Sequence, residues 1–222
     1  MRLVISPASV EDLSYDIGDL DRRIGDVNGD FINLDGGGPI EYALCMARLR
    51  GSLGLLDAGC GTGLSLLNLK EQVSRRAPID ADAVRAVGVS LADYTDLLWA
   101  WKDRANVRSG YVQMRIGNLA TIGLEPEQFD VAYSYEVLPH NAQIAPVIAN
   151  VMPSLRAGGA YYFDTLVEQQ EELDALNAQL DPTQWQLLSE TITRQTKWEQ
   201  GSRVMNRLQH LPAAGQGHTV LL

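Results

Sequence analysis

The chain has almost no cysteine: its 222 residues include only Cys45 and Cys60. Two thiols provide neither a disulfide framework nor a metal-ligand set. Basic runs are equally scarce, the longest cationic cluster being Arg75-Arg76. With a net charge of −10 and a sequence pI of about 4.7, the chain lacks the basic surface that a phosphate backbone requires, which argues against a nucleic-acid partner. Arg75-Arg76 reads instead as positive charge at a helix C-terminus, where the helix dipole favours it. Long apolar runs are missing too. The start, Met1-Arg-Leu-Val-Ile-Ser-Pro7, is too short in apolar residues for a signal sequence, and no stretch approaches the length of a membrane span. A cytoplasmic protein without a membrane span is therefore expected. Internal repeats and low-complexity tracts are absent, and a hydrophobic content of 45% with 21% charged residues is ordinary for a globular chain.

What is present is the stretch Leu55-Leu-Asp-Ala-Gly-Cys-Gly-Thr-Gly63, an apolar strand end that runs through Asp57 into a glycine-rich turn. Glycine takes positive φ and lets the backbone approach a ligand, and the N-terminus of a following helix offers unpaired N–H groups. The spacing discriminates between ligands. A dinucleotide fingerprint would place its third glycine where Leu64 stands, and the Lys-Ser/Thr of a phosphate loop is missing. Cys60 has no histidine nearby in sequence and is not read as a nucleophile. The stretch closely resembles the first motif of class I S-adenosylmethionine-dependent methyltransferases, a hydrophobic pair followed by D-x-G-C-G-T-G. The resemblance implies S-adenosylmethionine as cofactor, with Asp57, Ala58, Gly59, Cys60, Gly61 and Gly63 around its methionine part and Asp57 helping to fix the loop and the ammonium group.

Along the chain, helix-compatible spacing over 9–24 gives way to a loop-rich segment containing Gly25, Asn28-Gly29 and Gly36-Gly-Gly38. Pro39 then opens a helical pattern over 39–49. Residues 1–50 are expected to form an N-terminal helical cap packed on a core of 51–222, in one domain overall. Strands are expected at 53–57, 84–90, 111–116, 129–135 and 160–165, and helices at 64–75, 92–105, 144–155 and 168–179. Such alternation implies an α/β, doubly wound parallel sheet with ligands at the strands' C-terminal ends. The runs 185–198 and 203–210, separated by Gly201-Ser202, read as a closing hairpin. The resemblance completes this as a Rossmann-like, mostly parallel seven-stranded sheet with an antiparallel last strand.

Further segments extend the resemblance. Gly88-Val-Ser-Leu-Ala-Asp-Tyr-Thr95 is similar to the G-V-T/S-L-S-x-x-Q variant of cyclopropane-fatty-acid-synthase-like and natural-product methyltransferases. It implies a ribose contact from Ser90, in place of the acid that usually ends the second strand, and a cofactor-binding place for Leu91 beside it, while Ala92 and Thr95 depart from the pattern. Asp93 has two readings, a substitute ribose ligand or a favourable charge in a helix's first turn. Ile116-Gly-Asn-Leu119 matches the adenine-contacting G-D-A/L segment, with the neutral acceptor Asn118 in place of the acid and Leu119 following; it is equally compatible with a simple turn. The run from Glu127 to His140, EQFDVAYSYEVLPH, is similar to the family's F-D-x-V-x-S-x-x-x-L-x-H strand and loop, placing Ser134, Tyr135 and Glu136 where strand, cofactor and acceptor meet. Gly158-Gly159 matches the turn ahead of the fifth strand.

Methyl transfer from a sulfonium uses a donor that is already activated, so alignment and removal of the acceptor's proton bring the gain. His140 is the first candidate base, since imidazole suits neutral pH and the resemblance places it beside the acceptor at a helix start, where a capping role is the alternative. Glu136 is the second candidate, its other reading being a solvated loop carboxylate. Tyr15-Asp16 is similar to the Y-D of cyclopropane-synthase-like enzymes, which implies a cofactor contact from Tyr15. Asp164-Thr165 either faces the acceptor or caps the following helix, and His210 and His218 read as surface residues. The expected partner is a small-molecule acceptor, metabolite, lipid-like or natural product; monomer and homodimer both stay open. A cofactor-binding protein on this fold that no longer methylates is the competing reading.

Overall fold

The computed structural model describes residues 31, 34, 37–61, 63–92, 111–195 and 200–212. Helix α1 (Pro39–Arg50) opens on a proline, whose missing N–H costs nothing in a first turn, and closes at Gly51 in the left-handed conformation, φ 68°. Strand β1 (Leu53–Ala58) follows, then α2 (Leu64–Arg76), β2 (Val84–Ser90), β3 (Gln113–Ile116) and β4 (Phe129–Ser134). Helix α3 (Ala145–Val151), β5 (Leu155–Leu166), α4 (Gln170–Asn177), β6 (Trp185–Gln195) and β7 (Gln200–His210) complete the order.

The seven strands form one sheet in the order β3-β2-β1-β4-β5-β7-β6. Strands β1 to β5 pair in parallel, and β7 lies between β5 and β6, antiparallel to both. Strand β6 therefore runs in the direction of β1 to β5, and β7 alone is reversed. The α/β sheet with an antiparallel last strand and a closing hairpin is as the sequence led one to expect. Burial on both faces explains the unbroken apolar run of β1, every residue of which is buried. On one face Leu55, Val131, Tyr133, Tyr162 and Met205 pack with α1 and α2; on the other Leu56, Ala132, Tyr161, Phe163 and Leu208 pack with residues of α3 and α4.

Three elements differ from expectation. The closing hairpin turns between Gln195 and Gln200, and Gly201 and Ser202, expected to separate its strands, lie within β7 paired with Arg194 and Thr193. The helix over 144–155 ends at Val151 and passes into a tight turn, Met152–Ser154, because Pro153 has no N–H to donate and disfavours helical backbone before it. The fifth strand starts at Leu155 instead of 160 because it contains a bulge: Phe129 pairs with Leu155 and Val131 with Ala160. Gly158, at φ 78°, sits in that bulge.

The buried Asp130 fastens this end of the sheet. It accepts the Gly54 N–H at 2.7 Å and pairs with Arg156 at 3.1 Å and with Arg50, whose other nitrogen reaches the Ala157 carbonyl at 2.6 Å. The opposite end, where β1, β2, β3 and β4 terminate, holds the glycine turn. The helical segments expected over 9–24 and 92–105 lie outside the described residues.

Candidate functional site

Leaving β1, the chain turns through Gly59 (φ 116°), Gly61 (φ 51°) and Gly63 (φ 78°) before α2 begins. The requirement for glycine differs by position. A Cβ on Gly59 would lie 2.2 Å from a Val137 methyl, so packing forbids a side chain there; Gly61 has nothing within 4 Å and needs glycine for its left-handed backbone on an open side of the loop. The Gly59 and Cys60 N–H groups both donate to the Val89 carbonyl at 2.9 Å, tying the loop to the neighbouring strand β2.

Beneath the loop, Asp57 is buried and accepts a 2.8 Å hydrogen bond from the Tyr133 hydroxyl. Burial and then the Asp57 charge push that phenol well above its ordinary range, so it stays a donor. The Cys60 thiol is pushed up by burial and by Asp57, and it packs against Gly88, where an added Cβ would lie 2.7 Å from the sulfur. A thiol held protonated fills space and is no nucleophile. Ser134 joins the ends of β1 and β4, donating to the Ala58 carbonyl at 2.5 Å and lying 2.7 Å from the Tyr161 hydroxyl.

Ser90 ends β2 and is buried; its hydroxyl lies 3.4 Å from the Ala92 N–H and its carbonyl accepts the Gly117 N–H at 2.9 Å. Leu91 beside it is exposed. Asn118 is exposed after β3, and its amide oxygen accepts the Ala120 N–H at 2.9 Å, closing an Asx turn, while Leu119 is buried. Asn150 on α3 holds this turn by donating to the Leu119 and Ile122 carbonyls at 2.8 and 2.9 Å. Ser90, Asn118, the glycine loop and the end of β4 thus occupy the same edge of the sheet.

Past β4, Tyr135 and Glu136 are half-buried, and Glu136 takes φ 58°, unusual for a residue with a side chain. Its N–H donates to Asp164 at 2.7 Å. His140 is exposed in a tight turn, Leu138–His140, five residues before α3 begins at Ala145 rather than at the helix start that the sequence suggested. His210 was read as a surface residue but is half-buried, stacked on Trp185 with ring centroids 4.4 Å apart. Tyr15, Asp93, Thr95 and His218 lie outside the described residues.

Sequence reasoning missed Tyr133 under Asp57 and Asn150 behind Asn118; it singled out Asp164 for the acceptor or a helix cap, whereas the Asp164 carboxylate accepts the Glu136 N–H. Only Asp164 carried a signal, a carboxylate at the end of an apolar strand.

The fold and the glycine-loop edge are those of class I methyltransferases. Residues 56–163, just under half of the chain, match the family described as Methyltransferase domain, and fold and domain together support a class I S-adenosylmethionine-dependent methyltransferase. Among solved structures it is similar to an S-adenosylmethionine-dependent methyltransferase from Methanosarcina mazei, with 13% identity over 77% of this chain and 98% of that one and a TM-score of 0.52. It is also similar to the [4+2]-cyclase SpnF, with 15% identity, 87% and 82% coverage and a TM-score of 0.57. A geranyl diphosphate methyltransferase, solved with geranyl diphosphate and sinefungin, shows 16% identity, 86% and 93% coverage and a TM-score of 0.54. No curated protein matches the chain. Among the described residues, no helix is long and apolar enough to cross a membrane.

The cofactor of this class is S-adenosylmethionine, and the residues at the β1 end fit it. Gly61 leaves open space where any side chain would project, and a buried carboxylate, Asp57, lies directly beneath the loop.

Proposed function

We propose that the protein transfers the methyl group of S-adenosylmethionine to a small organic acceptor, a metabolite, lipid-like compound or natural product, in the cytoplasm. The observation that carries this reading is the left-handed glycine turn over the buried Asp57 at the end of β1. The bound sulfonium supplies an activated methyl group. The chain's own task is then orientation and proton removal. Residues 59–63 hold the methionine end, with Asp57 fixing the loop; Ser90 meets the ribose with Leu91 beside it, and Asn118 and Leu119 meet the adenine, with further contacts from Tyr135 and from Tyr15. His140, exposed on the turn after β4, takes the acceptor's proton where it has one, and Glu136 is the second base. The acidic chain supports a non-nucleic-acid acceptor, and the similarity to a geranyl diphosphate methyltransferase is in keeping with a small one.

A second reading is a protein that binds the cofactor without methylating, or that catalyses another reaction on this fold. Ser90 where the family usually has an acid, the Asn118 amide oxygen engaged within its own turn, and the similarity to a cyclase favour it.

Calorimetric titration with S-adenosylmethionine, S-adenosylhomocysteine and NAD tests the cofactor: heat with both sulfur compounds and none with NAD is expected, and silence from both would overturn the proposal. Methyl transfer from labelled cofactor into an extract of small acceptors separates the two readings. Unchanged turnover in His140→Ala would remove His140 as the base.

A further inference from the structure

The segment 135–141 carries both candidate bases and closes over the glycine loop, yet side chains of another element determine its shape. Glu136 donates its N–H to Asp164 at the end of β5, and Gln169, just beyond β5, donates to the Leu138 and Asn141 carbonyls at 3.1 and 3.0 Å. The next residue along, Val137, is the one whose methyl stands 2.2 Å from where a Gly59 Cβ would be. Contacts therefore run without a gap from Asp164, through Glu136 and Val137, to the loop that holds the methionine end. Glu136 needs such a hold, because a left-handed residue that carries a side chain is strained and persists only where its surroundings impose it.

We infer that Asp164 is a positioning residue for methyl transfer: its carboxylate fixes Glu136 in the left-handed conformation and so sets the Tyr135 to Val137 backbone against the donor loop. The inference rests on the methyltransferase reading of this site. Asp164 is wholly buried, and burial pushes it up to about 7, against the opposing pull of the Glu136 N–H and the Arg203 charge, with the Glu136 carboxylate adding to the rise. The charged and titratable groups around it are Arg203 of β7, 3.6 Å from its second oxygen, Glu136 on the segment it holds, Tyr161 two strand positions below its neighbour Phe163 on β5, and Glu190 of β6 in the cross-strand row Asp164, Met205, Glu190. A hydrogen bond to a carboxylate is stronger than one to a neutral acid, so the hold tightens as pH rises through neutrality.

The test is backbone amide exchange at Glu136, expressed as protection relative to free peptide, with titration by S-adenosylhomocysteine on the same samples at pH 6 and pH 8. His140 is replaced by Gln in every arm so that the imidazole carried by the segment itself does not contribute. With Asp164 present, Glu136 protection and product affinity should both be several-fold lower at pH 6 than at pH 8. Asp164→Asn, which keeps an acceptor oxygen but not the charge, should hold the same lower value at both pH values. Asp164→Ala should lose about tenfold in protection at either pH. Gln169→Ala should lower protection while keeping the pH ratio of the Asp164 protein. Glu136 protection in Asp164→Ala within twofold of the parent, or an undiminished pH ratio in Asp164→Asn, would overturn the inference. If Asp164→Ala does not fold, the Asn variant decides. Absence of product binding in the parent would sink the methyltransferase reading, while the exchange arm would still decide whether Asp164 holds Glu136.

Discussion

Asp130 and Asp164 are both wholly buried carboxylates on adjacent strands of one sheet, but they stand at opposite ends and are treated differently. Asp130 has Arg50, Arg156 and the Gly54 N–H, so both oxygens are engaged and α1, the start of β1 and the β5 bulge are fastened together. Asp164 has one N–H and a guanidinium at 3.6 Å, and among the described residues its second oxygen has no hydrogen-bond partner. A buried charge that is fully paired strengthens a scaffold, whereas one left partly paired is raised in pKa and becomes responsive to pH. The end of the sheet that holds the fold together carries the first kind, and the end that faces the cofactor loop carries the second.

The largest effect should come from removing the first. Asp130→Ala leaves two guanidinium groups and a buried N–H without their acceptor, and should lower unfolding stability by about 3 kcal/mol in urea titration. The folded fraction should bind S-adenosylmethionine with unchanged affinity; a selective loss of binding would erase the contrast between the two ends. Next is Gly59→Ala, which forces a Cβ into Val137 at a left-handed position. It should weaken cofactor binding by about tenfold or more in calorimetry, with a smaller change in stability. The third concerns Asp164 and stability alone. Its carboxyl is raised from 3.8 to about 7 on folding, so the folded protein holds a proton that the unfolded chain has released between those values. The Asp164 contribution to stability is complete below pH 3.8 and is lost as pH rises towards 7. Compared with Asp164→Asn, the parent should therefore lose up to about 1 kcal/mol per pH unit across that window in denaturation measurements. Parallel pH profiles of the two proteins would remove the distinction between the aspartates.

Much of the cofactor edge was legible in the sequence because it is written locally. The glycine spacing from 59 to 63, the strand over 84–90 and the hairpin after 185 depend on neighbours in the chain, and the structure has them in place. Pro153 shortened a helix that hydrophobic spacing alone extended to 155, since periodicity records which face is buried and not where the hydrogen-bond ladder fails. The β5 bulge was read as a turn ahead of the strand because its glycines look the same in either role; only the partner strand's register distinguishes them. The polar contacts that shape the site were not legible. Asp164 to Glu136, Gln169 to Leu138 and Asn150 to Leu119 each join residues 28 to 31 positions apart, and no pattern within one element specifies such a partner.

The placement of β7 has a consequence for how the molecule is made. A strand synthesised after β6 occupies the slot between β5 and β6, so β5 has no partner on that side until the chain has been extended through His210. Strands β6 and β7 pair from Gln195 and Gln200 outward, which lets them zip together from a short connection before either meets the rest of the sheet. A chain that stopped short of β7 would leave β5 with an open row of backbone donors and acceptors, the kind of edge that pairs with a wrong strand.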